Sequence, residues 1–174
     1  MYNTLIRNIL RFIGLVLLQI AVFDNLRFGS FVHPCVYVIF IFLMPFETPA
    51  WKLMINGFLI GFAVDVFNGT PGLNAAASVL LAYVRPFIIS ITTRKSDIQD
   101  KNEPSIAEMG LQWFVLYSFL LLVIHNLLLF WLEAFSIKLF GVVLLEVLLS
   151  VPISLIVIIL LLYLLNPLKN KSNY

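Results

Sequence analysis

Three ionisable side chains lie inside stretches otherwise fit for lipid: Asp65 in GFLIGFAVDVFNG, His125 in LLLVIHNLLLF and Glu146 in GVVLLEVLLS. At mid-bilayer an Asp or Arg costs about 2.5–3.5 kcal/mol on insertion scales, so each such group needs a compensating role. Two acids and an imidazole at one depth can relay protons, line a cavity, meet a partner helix or hydrogen-bond the bundle together. Level-matching puts these three in one layer. Asp65 falls near the outer end of its helix, Glu146 comes one heptad after Leu139, and His125 lies in the same outer half. Arg85 lies about 18 Å deeper than Leu73 by helical rise. It is therefore expected to miss Asp65, and either to snorkel to the inner headgroups or to bond a carbonyl freed by Pro86.

The spacing around these groups is helical. Gly57, Gly61 and Asp65 recur every fourth residue and share one face. The glycines admit a close neighbour, as in small-xxx-small packing, and Asp65 points into the same contact. Asn74, Ser78, Ala82 and Arg85 form a second stripe, Ser118 and His125 a third, Glu146, Ser150 and Ser154 a fourth, and Arg11 with Gln19 a fifth. The turn Asn68-Gly69-Thr70-Pro71-Gly72 separates Asp65 from Asn74.

Other chemistry finds no motif. Neither HExxH nor CxxC occurs, His33 and His125 are far apart, and Cys35 is the single cysteine, so no metal site is expected. The GTPG at 69–72 is not followed by Lys-Ser/Thr, and no serine or cysteine sits in a nucleophile elbow. The expectation is a protein without catalytic residues or cofactors. No Lys/Arg-rich block points to nucleic acid.

The elements that must position these residues follow from composition. Of 174 residues, 61% are hydrophobic and 11% charged, against about 25% charged in ordinary soluble domains. Mean hydropathy is +1.03. An all-α integral membrane protein is expected, one domain over residues 1–174. Six apolar segments predict six spans, at about 5–23, 33–46, 52–67, 73–92, 111–132 and 139–165. The first is read as a retained span, because Asp24-Asn25-Leu26-Arg27 follows where a signal peptide would show a small-residue cleavage site. The segments at 33–46 and 52–67 are short for the roughly 20 residues that a spanning helix needs. Residues 93–110 form the main polar loop, a solvated connection or a docking site for a cytoplasmic partner. With the N-terminus inside, Arg7, Arg11, Lys52, Arg94, Lys95, Lys101, Lys169 and Lys171 fall inside, and only Arg27 and Lys138 fall outside. That bias predicts cytoplasmic termini and an outward-facing turn at 68–72.

The run GFAVDVFNGTPGLNAAASVLLAYVRPFI, residues 61–88, resembles the bacterial rod shape-determining protein MreD family. The resemblance rests on Gly61, Asp65, Gly69, Pro71, Gly72, Leu73, Asn74, Ala75 and Arg85, together with chain length, six apolar segments and the polar loop. Asn74 stands where that family often has histidine. The resemblance implies a bundle of six transmembrane helices similar to the substrate-binding subunits of energy-coupling-factor transporters. It also implies a non-catalytic scaffold of the bacterial inner (plasma) membrane, part of the elongasome that maintains rod cell shape. The partners implied are an MreC-like single-span protein, an MreB-like filament and peptidoglycan synthases, all at the lipid bilayer. The transporter likeness supplies an alternative, a vitamin-type small-molecule binding subunit. Helix one, GLVLLQIAVF, lacks the Ala-xxx-Ala pattern of such subunits, and the outer loops are short. The residues expected at intramembrane polar or partner contacts are Gly57, Gly61, Asp65, Gly72, Asn74, Arg85, His125 and Glu146.

Overall fold

The computed structural model describes residues 2–25, 32–98 and 101–165. Arg27, Lys169 and Lys171, which enter the orientation count, lie outside the described residues, as do the side chains of Arg7 and Lys95. The described chain is helical throughout its regular structure. Helix α1 (Tyr2–Leu18) continues into a π-helical turn, Gln19–Phe23. It is followed by α2 (Ile39–Phe42), α3 (Ala50–Asn68), α4 (Leu73–Thr92), α5 (Ile106–Met109), α6 (Leu111–Ala134) and α7 (Phe140–Leu165). Helices α3, α4, α6 and α7 are each long and apolar enough to cross a membrane, which marks a multi-pass membrane protein. The apolar part of the first helix, Asn8–Phe23, is shorter. Helix α4 packs on α3 and α6, and α6 packs on α7.

The 33–46 segment departs from the expected span. Residues 32–36 form no regular structure, 37–38 turn, and α2 contributes a single helical turn. Residues 34–43 are all buried. Pro34 biases His33 away from helical dihedrals, and the run CVYVIFIF is rich in β-branched and aromatic residues of middling helix propensity. A non-helical backbone at membrane depth is tolerated where protein surrounds it. Here the long helices wrap it. Tyr37 is hydrogen-bonded to Asn74 in the first turn of α4, and Met44 to Arg85 beyond the middle of the same helix.

The α3–α4 hairpin is held by near backbone contact. A methyl at Gly61 would lie 2.6 Å from the Ala75 Cα, and one at Gly57 2.7 Å from the Ser78 carbonyl oxygen. The small-residue face of α3 is therefore filled by α4 of the same chain. Gly69 closes α3 at φ 67° and Gly72 opens α4 at φ 85°, left-handed values that a side chain adopts at a cost. The loop of residues 101–110 folds back on the bundle. Arg11 pairs with Glu103 at 3.3 Å, and the Phe46 N–H donates to the Asn102 carbonyl at 3.1 Å.

Gly61→Leu is expected to force α3 and α4 apart and to destabilise the detergent-solubilised protein by at least the ~1–3 kcal/mol of an overpacked core. Gly14, with nothing within 4 Å of an added methyl, is the control. Thermal melts should show a lowered midpoint for Gly61→Leu and none for Gly14→Ala. Equal midpoints for the two variants would contradict the hairpin packing.

Candidate functional site: a buried polar network

Asp65 clasps the hairpin. The first N–H groups of a helix have no intrahelical acceptor, and at α4 the Asp65 carboxylate supplies one. Its Oδ1 accepts from the Asn74 backbone N–H at 3.1 Å and from Asn74 Nδ2 at 3.0 Å, and its Oδ2 accepts from the Ala75 N–H at 2.8 Å. The Thr70 hydroxyl also donates to Oδ1. An anion at a helix N-terminus meets the positive end of the macrodipole, and charge-assisted bonds are the strong ones. Asp65 is thus buried yet fully partnered. Beside it, Asp24 accepts from Gln19 Nε2 at 2.7 Å and from Asn68 Nδ2 at 2.9 Å, which ties the π-helical turn to the end of α3.

The network continues inward. The Tyr37 hydroxyl lies 3.0 Å from Asn74 Oδ1 and 3.0 Å from His125 Nε2, with the two rings in edge-to-face contact at 5.6 Å. Asp65 and His125 therefore belong to one hydrogen-bonded network, joined through Asn74 and Tyr37. Glu146 does not join it. It is partly exposed, and no hydrogen bond links it to either residue. Its helix instead serves the irregular 33–46 segment. The polar stripe of α7 is engaged there, with Ser150 Oγ accepting from the His33 N–H at 3.0 Å and Ser154 Oγ from the Cys35 N–H at 3.1 Å.

Gln19 and Arg85 secure the rest of that segment. Gln19 Oε1 accepts from the Val36 and Tyr37 N–H groups at 2.8 and 3.4 Å, and its Nε2 donates to the Pro34 carbonyl at 3.0 Å. The π-helical turn that begins at Gln19 is the kind of local widening often found where a helix side chain has a special task. Arg85 neither snorkels nor bonds a carbonyl of its own helix. It is 1% exposed. Its Nη2 donates to the Met44 carbonyl, and its Nε donates at 3.0 Å to the Tyr117 hydroxyl, which donates at 3.1 Å to the Phe42 carbonyl. These are the carbonyls of Phe42, the last residue of α2, and of Met44 two residues beyond, acceptors that a helix end leaves open. Those acceptors draw the guanidinium inward.

Among the eight residues picked from sequence, Gly57, Gly61, Asp65, Gly72 and Asn74 build the hairpin, His125 joins it through Tyr37, Arg85 secures the α2 end of the 33–46 segment, and Glu146 stands apart. Thr70, Tyr37 and Tyr117 were missed. The signal for both tyrosines was a hydroxyl in an apolar run, since a buried Tyr O–H usually finds a partner. Among the described residues no group of His, Cys, Asp and Glu is placed to hold a metal ion. Compared with known proteins, the chain matches no family model, no curated protein and no solved structure.

Gln19→Leu leaves the Val36 N–H and the Pro34 carbonyl without their partner, at about 1–3 kcal/mol for each orphaned group. Amide exchange at Val36 is expected to accelerate, and the melting midpoint to fall; unchanged protection at Val36 would contradict this arrangement. Asp65→Ala is expected to lower stability by about 0.5–2 kcal/mol as a lost helix cap, with faster exchange at Asn74 and Ala75 measured in the same way.

Proposed function

We propose that this chain is a non-catalytic scaffold of the bacterial cell-wall elongation machinery, acting as MreD-family proteins do. On this reading it resides in the inner membrane with both termini cytoplasmic, binds an MreC-like single-span protein, and links an MreB-like filament to peptidoglycan synthases. The supporting observation is the α3–α4 hairpin. Gly61, Asp65, Gly72, Asn74 and Arg85, which carry the resemblance, all act in fixing the fold: a close helix contact, a shared cap, and a clamp on the buried segment. Polar side chains engaged in this way favour a body of fixed shape over a site that opens for a solute. The outward faces of α3 and α4 offer apolar surface to a neighbouring helix, with Phe58, Phe62, Phe67 and Tyr83 exposed.

Depletion in the host is expected to give rounded, widened cells. Normal shape with a vitamin-uptake defect would overturn this reading in favour of a small-molecule binding subunit. A photo-crosslinker at Phe62, on the outer face of α3, is expected to capture a single-span membrane protein, whereas one at Gly61, which faces α4, is not.

A further inference from the structure

The hydrogen-bond chain from Asp65 to His125 has a direction. Asn74 Nδ2 donates to Asp65, which fixes the amide so that its Oδ1 faces Tyr37. An amide oxygen only accepts, so the Tyr37 hydroxyl must donate to it. A hydroxyl has one hydrogen. The Tyr37 oxygen is then left to accept from His125, and the proton must sit on Nε2. In the uncharged ring Nδ1 carries a bare lone pair. A carboxylate at the outer turn thus determines, through an amide and a phenol, which nitrogen of a distant imidazole bears hydrogen.

The bare nitrogen is buried. His125 and Asn126 are both 0% exposed. His125 Nδ1, Asn126 Nδ2 and Asn126 Oδ1 make no well-aligned hydrogen bond among the described residues, although the Asn126 side chain lies close enough to act on the His125 ring. An acceptor, a donor and a second acceptor come from adjacent residues of one helix. Buried polar groups of this kind are ordinarily completed by internal water, which both donates and accepts and typically makes 2–4 hydrogen bonds.

We propose that His125 Nδ1 and the Asn126 amide form a buried site for ordered water, with the imidazole locked as the Nε2–H tautomer by the chain Asp65, Asn74 and Tyr37. The water donates to Nδ1 and to the Asn126 carbonyl oxygen, or accepts from the Asn126 amide. The inference is independent of the scaffold reading, since it concerns only the bundle interior.

Nitrogen-15 NMR of the histidine-labelled full chain in lipid nanodiscs tests the lock. The sequence has two histidines, so His33→Gln assigns the spectrum. His125 is expected to show a protonated Nε2 and a bare, hydrogen-bonded Nδ1. A protonated Nδ1, or shifts averaged between the two tautomers, would overturn it. Tyr37→Phe, which keeps the ring and removes the hydroxyl, is expected to shift the nitrogen signals toward such an average, and an unchanged spectrum in the folded variant would also overturn it. Magnetisation transfer from water to the Asn126 side-chain amide is expected, and its absence would remove the water site.

Discussion

In hydrocarbon there is no water to take up a free N–H or C=O, so a backbone that enters a membrane bundle without forming a full helix needs a partner for each exposed peptide group. The 33–46 segment imposes that constraint on this protein. Its chain is irregular, then turned, then helical for one turn, and residues 34–43 are buried. Side chains from four helical elements answer it: Gln19 from the π-helical turn, Arg85 from α4, Tyr117 from α6, and Ser150 with Ser154 from α7. Polar residues that look costly in separate spans are complementary to one stretch of irregular backbone.

The two strongest charges in the interior obey one rule. Asp65 sits at the N-terminus of α4 and Arg85 at the C-terminal end of α2. Asp65 faces the positive end of a long helix, and Arg85 faces peptide carbonyls left open where α2 ends. Neither has to find the other. Asp65 fixes the turn end of the hairpin and Arg85 the α2 end of the buried segment. Between them, the near backbone contact at Gly57 and Gly61 keeps α3 and α4 in register.

Such an interior suits a component whose task is to hold its shape in a membrane assembly. Its polar residues mostly bind their own backbone or one another, and its outer surface is broadly apolar, as on α7, where Leu148, Ile156, Leu160 and Leu164 face outward. On the scaffold reading, recognition belongs to these outer faces, and the conspicuous polar residues preserve the geometry that presents them.

Helical periodicity and hydropathy settled much from sequence alone. The span expected at 73–92 is α4 to the residue, and those at 52–67, 111–132 and 139–165 match α3, α6 and α7 to within two residues at each end. These elements are legible because a long helix satisfies its own backbone, so its bounds depend on local residues and turn signals such as NGTPG. The shared face of Gly57, Gly61 and Asp65 was legible for the same reason. What only the tertiary structure decided is what each polar group touches. The 33–46 run is apolar enough for a span, and its non-helical path exists because Gln19, Ser150, Ser154 and Arg85 stand ready for its peptide groups. Arg85 turned inward because carbonyls at the end of α2 lay within its reach, and Glu146 stands partly exposed on α7, outside the network of His125. A hydrogen bond between residues distant in sequence is specified by both ends at once, and spacing along a single helix records only one of them.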